Sequence, residues 1–174
     1  QDELDKKMEK LGDLCDEAGA VEVLMADDRI WEARKQFADA CREICLTWAS
    51  SDYVVPLDKI INVTTELPNI MKKHDIDGGI VAHIGDGNIH VNILNTHNQG
   101  PEEWANTLHA YDDDIFALVY SLGGKMSGEH GIGYKKKEEF EKFTPEGELK
   151  LMRLLKKAWD PNNIMNPSKV IEVE

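Results

Sequence analysis

The chain is short of cysteine, of aromatic residues and of positive charge, and each shortage excludes something. Three cysteines in 174 residues make an odd, sparse set that does not suit a disulfide framework. Cys41 and Cys45 stand four apart in a helical pattern. That suits core packing better than a CxxC site and points to a reduced, intracellular setting. Lysine and arginine total 20 against 33 acidic residues, for a net charge of −13. Nucleic acid demands a basic surface, so it is not an expected partner, and an anionic membrane surface gains no support either. No apolar run is long enough to span a bilayer, and no signal peptide is visible.

What is present is an ordinary globular composition, 41% hydrophobic and 30% charged, in a chain long enough for one domain with a core. It starts at Gln1 rather than Met and opens directly into a charged helical pattern, so it reads as a fragment of a longer protein. Residues 2–18 carry a helical stripe of Leu4, Met8, Leu11 and Leu14, ended by Gly19. Residues 21–25 read as a short strand. Asp27 or Asp28 can cap a helix running to about Trp48, with Ile30, Phe37, Cys41, Ile44 and Trp48 inward. A strand is expected at 52–55. The helix after Pro56 runs to about His74, with Pro68 inside it expected to kink or break it. A hairpin spans about 78–95. Pro101 starts a helix to about Leu122, and a short extended segment covers about 125–129. Further helices are expected near 135–142 and from Thr144 as cap to Trp159. Between 52 and 129 the order is β-α-β-β-α-β. That predicts an α+β fold of ferredoxin-like type, an antiparallel sheet with helices on one face and additional helices at both ends.

The hairpin is the most informative segment. His83-Ile84-Gly85-Asp86-Gly87-Asn88-Ile89-His90 holds Asp86-Gly87, the favoured pair for a two-residue type I′ turn. Centring the turn there places His83 opposite His90 and Val81 opposite Asn92, both imidazoles on one uncovered face of the sheet. The other face is Ile80, Ala82, Ile84, Ile89, Val91 and Ile93. Two histidines so placed suit a divalent ion, although a polar sheet face holding histidines by chance stays open. A third ligand is available in Ser127-Gly128-Glu129-His130-Gly131-Ile132-Gly133. Neighbouring side chains of an extended segment diverge, so Glu129 can face a metal while His130 faces another part of the same cavity. His83, His90 and Glu129 with open positions make a catalytic rather than a closed structural set. The competing reading, a phosphate-binding glycine loop, lacks the GxGxxG or Lys-Ser/Thr spacing.

Other polar residues carry less. From spacing alone Arg34 reads as a surface arginine at the edge of a helical stripe. Asn92 shares the histidine face. His74, His97 and His109 read as bystanders, Asp112-Asp113-Asp114 as a solvated helix face, and Lys135-Lys136-Lys137 as an exposed helix start. Asn163 and Asn166, in the turn before Pro167, can bond backbone or reach a ligand.

Taken in order, His83-x-Gly85-Asp86-Gly87-Asn88-x-His90, Gly128-Glu129-His130-Gly131-x-Gly133 and Asp160-Pro161-x-x-Ile164-x-Asn166-Pro167, with Ile30-Trp31-Glu32-Ala33-Arg34 ahead of them, resemble the C-terminal domain of FAD-linked oxidases. Within that family the chain is similar to the glycolate oxidase flavoprotein subunit, D-lactate dehydrogenase and D-2-hydroxyglutarate dehydrogenase group. The resemblance covers essentially all of the chain and implies oxidation of a small D-2-hydroxy acid with hydride transfer to FAD. It implies a divalent metal, most often zinc, on His83, His90 and Glu129, and His130 as the base. It implies Arg34 on the substrate carboxylate, Asn92 on the substrate and Asn166 near the flavin. The expected partners are a preceding FAD-binding domain of the same protein and an electron-acceptor subunit. The expected location is cytoplasmic, or peripheral to the inner membrane through partner subunits. The sequence departs at Ser168, where a glycine often follows Asn-Pro. Two other readings stay open: a non-redox flavoenzyme of the alkyl-glycerone-phosphate synthase type, and a non-catalytic metal-binding or assembly module.

Overall fold

Alternation of apolar and polar residues through 88–94 builds the centre of the fold. The computed structural model describes residues 1–24 and 27–173. The chain divides into two units, Gln1–Ala38 and Asp39–Glu174. The first unit holds α1 (Asp2–Glu17) and most of α2 (Asp28–Ile44). Gly19 closes α1 at φ +79°. Asp27 caps α2, its Oδ1 accepting the Arg29 amide at 2.9 Å. The expected strand at 21–25 does not form over Val21–Leu24, and Met25 lies outside the described residues. Its inward partners are missing too, since Val21, Val23 and Leu24 are exposed.

The second unit is an antiparallel three-stranded sheet with helices packed on it. Its strands are β1 (Trp48–Val54), β2 (Asp77–His83) and β3 (Asn88–Leu94), in the order β1-β3-β2. β1 begins four residues earlier than expected, so α2 stops at Ile44 and Trp48 opens a strand instead of closing a helix. A 3₁₀ turn at Leu57–Lys59 leads into α3 (Ile60–Lys73). Pro68 does not end α3. The buried stripe Ile60, Val63, Leu67 and Met71 outweighs the one backbone bond that proline removes. α4 (Pro101–Ser121) follows the hairpin and buries Tyr111, Ile115, Phe116 and Val119. α5 (Lys137–Phe143) and α6 (Glu146–Trp159) complete the unit. Pro145, not Thr144, is the cap residue of α6, and Thr144 Oγ1 is buried without a hydrogen bond.

The α+β class stands, and the expected fourth strand shrinks to one antiparallel bridge, Val54 with Lys125. Gly124 lies so close to Val54 and Val119 that a Cβ there would meet Val54 O at 2.5 Å. That bridge adds Lys125 beside β1, so its position agrees with the outer strand of a ferredoxin-like order. Ile89, Val91 and Ile93 of β3 are at most 1% exposed. They pack with Tyr53, Leu67 and Phe116 as one core. Tyr53 and Tyr111 share a buried hydroxyl–hydroxyl hydrogen bond of 2.6 Å. Cys41 and Cys45 are buried free thiols, as core packing requires. Among the described residues no helix is long and apolar enough to cross a membrane.

Candidate functional site

The hairpin register differs from the type I′ expectation by two residues. His83 faces Asn88 and Val81 faces His90. Ile84 to Gly87 therefore form a four-residue loop, and Ile84 is 68% exposed rather than part of the apolar face. Two contacts explain the longer loop. Asp86 Oδ1 accepts the Asn88 amide at 3.1 Å, an Asx-type turn that replaces the I′ geometry. Gly87 takes φ +79° while Asp86 stays at negative φ. A Cβ on Gly87 would lie 2.1 Å from Val55 O, and the Gly87 carbonyl accepts the Val55 amide at 3.1 Å.

Because the difference is an even number, the faces are unchanged. His83, Asn88, His90 and Asn92 still share one side of the sheet, and the imidazoles are diagonal neighbours with ring centroids 5.2 Å apart, edge to face. That side is not uncovered. Asn88 and Asn92 are 5% and 9% exposed: the loop at 127–130 lies over Asn88 and His90, and Cys41 lies against Asn92. A Cβ on Gly128 would fall 2.2 Å from Asn88 Oδ1, so glycine is what lets the loop sit directly on β3.

The loop brings Glu129 to the histidines. Glu129 Oε1 lies 3.1 Å from His90 Nε2 and 4.0 Å from His83 Nε2. One ligand atom each from His83, His90 and Glu129 lies within 4.8 Å of the others. Bonds of about 2 Å to one ion leave ligand atoms roughly 3–3.5 Å apart, so a small inward movement would complete a shared site. The chemistry of the donor set fits a borderline divalent ion. His90 Nε2 adds to the fit, since it is buried without a hydrogen bond despite its closeness to Glu129 Oε1, the alignment being poor. Burial lowers the His90 pKa, the Glu129 charge opposes this, and the neighbouring His130 and His83 lower it further. The net direction favours the neutral imidazole that ligation needs. His130 stands alongside, its ring centroid 5.2 Å from that of His90 and its Nε2 3.5 Å from Glu129 Oε1. It also lines a cavity of about 910 Å³ that runs past Lys136, Trp104, Asp112 and Glu139.

The other expected site residues fare differently. Asn92 sits on the histidine face, buried, with its Nδ2 donating to Cys41 Sγ at 3.4 Å. Arg34 is exposed on α2, in the first unit. Asn166 is exposed with φ +49°, and Ser168 has φ +61°. Ser168 thus adopts the left-handed conformation that glycine favours. Asp160 holds this turn, accepting the Ile164 and Met165 amides at 2.9 and 2.8 Å. The bystander histidines pair with acids: His74 with Asp114 at 2.6 Å, His97 with Asp75 at 3.5 Å and His109 with Glu139 at 2.6 Å. Asp112 departs from the solvated-face expectation. Its Oδ1 is buried without a partner, and burial, reinforced by the Glu139 charge, pushes its pKa up to about 7.

Sequence reasoning missed Asp52 and Lys136. Asp52 pairs with His90 in register on β1, which puts it on the histidine face, and it is 1% exposed. Burial alone would raise its pKa. Hydrogen bonds from Ser127, Glu129 and His130, with the charge of Lys136, hold it well below the usual carboxylate range. Lys136 is correspondingly turned inward instead of exposed, its Nζ 3.1 Å from Asp52 Oδ1. Nothing local marked Asp52, which follows Ser50 and Ser51 in β1, and its partners come from 75 to 84 positions further along the chain.

Comparison with known proteins gives the family of the chain. The profile of the FAD linked oxidases, C-terminal domain, matches residues 1–170. The glycolate oxidase subunit GlcD of Bacillus subtilis is 33% identical over 96% of the chain and 36% of its own length. A D-lactate dehydrogenase of Anaerostipes hadrus is 29% identical over 98% of the chain and 37% of its own length. The D-2-hydroxyglutarate dehydrogenase of Stutzerimonas stutzeri is 31% identical over 81% of the chain and 30% of its own length. The chain thus spans about a third of the length of these relatives. By a profile match over nearly its whole length, the chain belongs to the family of FAD-linked oxidase C-terminal domains.

Proposed function

We propose that the chain is the substrate-and-metal domain of a flavin-dependent dehydrogenase that oxidises a small D-2-hydroxy acid, of glycolate or D-lactate type, to the 2-oxo acid. The observation that carries the reading is the convergence of His83, His90 and Glu129 around one point, with the His130 ring beside them. The names of the relatives support the substrate class: lactate, glycolate and 2-hydroxyglutarate all carry a hydroxyl next to a carboxylate.

The residues divide the work. His83, His90 and Glu129 would hold a divalent ion, zinc by the nature of the donors, which when bound supplies Lewis-acid polarisation of the hydroxyl. His130 Nε2 takes the hydroxyl proton as the C–H bond breaks, which turns the C–OH into C=O. Flavin, held by a preceding domain of the same protein, supplies the acceptor for the hydride. Arg34 has the planar fork that grips a carboxylate in two hydrogen bonds. Asn92 would offer an amide to the substrate on the histidine face, and Asn166 would approach the flavin. An electron-acceptor subunit would take the electrons onward, with the protein in the cytoplasm or held at the inner membrane by such a partner.

The test is reduction of the flavin in the whole protein that carries this chain. Anaerobic mixing with D-lactate, glycolate and D-2-hydroxyglutarate should bleach the flavin band with at least one of them. His130→Ala should slow bleaching about 10²–10⁴-fold, the usual contribution of a general base. No bleaching by any 2-hydroxy acid, with flavin and metal both supplied, would end this reading.

A further inference from the structure

Asp52 is buried to 1% exposure, yet its carboxylate takes up four donors from a single stretch of chain. Oδ2 accepts Ser127 Oγ at 2.5 Å, the Glu129 amide at 2.8 Å and the His130 amide at 3.1 Å. Oδ1 accepts Lys136 Nζ at 3.1 Å. Ser127 Oγ in turn accepts the Gly131 amide at 2.9 Å. The segment carrying Glu129 and His130 is thereby gathered around one buried carboxylate.

We propose that Asp52 is a positioning residue that sets where Glu129 and His130 stand relative to the histidines of β3. The claim rests on the reading of Glu129 as a metal ligand. Asp52 is the register partner of His90, so the same strand pair presents both the ligand His90 and the anchor of the loop. Their side chains rise from one face with Cβ atoms about 4.5–5.5 Å apart. A rigid sheet therefore fixes the distance between two parts of the centre that are 39 residues apart in sequence, His90 and Glu129. Only an ionised carboxylate suits the role. It is all acceptor, whereas an amide would turn N–H groups toward one or more of the four donors. Lys136 supplies the counter-charge that a buried anion requires.

The test compares Asp52→Asn and Ser127→Ala with the wild-type protein, reading Mn²⁺ affinity by the EPR signal of the free ion and amide hydrogen exchange at Glu129 and His130. Asp52→Asn should weaken Mn²⁺ binding 10–100-fold, the usual effect of losing a group that orients a ligand. It should also speed exchange at the two amides at least tenfold, while the β3 amides of Val91 and Ile93 keep their protection. Ser127→Ala should move both readouts the same way by less, because the direct bonds from Glu129 and His130 remain. Should Asp52→Asn fail to fold because Lys136 is stranded, Asp52→Asn with Lys136→Met removes the orphaned charge and is read in the same way. A folded Asp52 variant with Mn²⁺ affinity and amide exchange within twofold of wild type overturns the proposal. Failure of the wild-type protein itself to bind Mn²⁺ would instead overturn the metal reading, and the amide exchange alone would then decide whether Asp52 holds the loop.

Discussion

Manganese should raise the melting temperature of this protein, and His90→Ala should abolish that rise. The three ligand atoms already lie within 4.8 Å of one another, so binding needs little rearrangement of the folded chain, and the unfolded chain offers no such cluster. Binding to the folded form alone stabilises by about 2.7 kcal/mol when the free ion stands at 100 times its Kd. For a chain of this size each kcal/mol moves the midpoint by about 2–4 °C. The expected rise is therefore roughly 5–11 °C. Manganese is the better probe than zinc, because Cys15, Cys41 and Cys45 are free thiols. A softer ion would bind them in the unfolded chain and mask the effect. The assay is differential scanning calorimetry with and without millimolar Mn²⁺, each variant compared with its own metal-free midpoint so that the packing lost with the His90 ring cancels. A wild-type midpoint that ignores Mn²⁺, or an equal rise in His90→Ala, refutes the shared site.

Gly87→Ala should destabilise by roughly 2–5 kcal/mol in urea unfolding, combining about 1–2 kcal/mol for a side chain at positive φ with about 1–3 kcal/mol for forcing a methyl against neighbours. The Cβ would lie 2.1 Å from the Val55 carbonyl oxygen, so a loss below about 1 kcal/mol would mean the loop is not seated on Val55. Asp112→Asn should stabilise at neutral pH and not in acid. The folded pKa of Asp112 is raised to about 7 from an ordinary 3.8, first by burial and then by Glu139. The folded chain thus keeps a proton that the unfolded chain releases, and stability falls as pH rises between about 4 and 7. At about 1.4 kcal/mol per unit, discounted for partial exposure, the Asn variant should gain roughly 1 kcal/mol or more at pH 7.5 and nothing near pH 4. A gain that is the same at both pH values would count against a buried, protonated Asp112.

The faces of the sheet were legible in the sequence, while the register was not. Alternation assigns Ile89, Val91 and Ile93 inward and His90 and Asn92 outward whatever the turn, because a period of two survives any even slip. The turn itself depends on the Asp86 carboxylate bonding the Asn88 amide and on Gly87 fitting against Val55. The second is a contact between segments that local propensity does not contain. Asp52 was invisible for the same reason. Its partners lie 75 to 84 positions away, and a lone Asp in a strand looks like a solvated edge. Pro68 misled in the other direction, since the packing of α3 on the core overrides a local rule. The roles proposed for Arg34, His130 and Asn166 had no signal in spacing at all and came only from resemblance to a family.

The diagonal placement of the histidines changes what the proposed metal centre depends on. Directly opposed imidazoles would sit close enough to define most of a metal site from the hairpin alone. Diagonal neighbours start about 7–8 Å apart at the backbone, and here the rings approach only to 5.2 Å, edge to face. Two strands therefore leave the pair incomplete, and closure falls to a carboxylate from outside them. Glu129 is exposed, with 53% of its side chain accessible, so packing around the side chain does not fix it. Its backbone does that work, through an amide bonded to a buried carboxylate and a neighbouring glycine that lets the chain lie on Asn88. It follows that substitutions beneath the loop, at Asp52, Asn88 or Gly128, should damage metal affinity as severely as conservative changes at Glu129 itself. Substitutions in the exposed tip of the hairpin, at Ile84 or Gly85, should leave it nearly untouched.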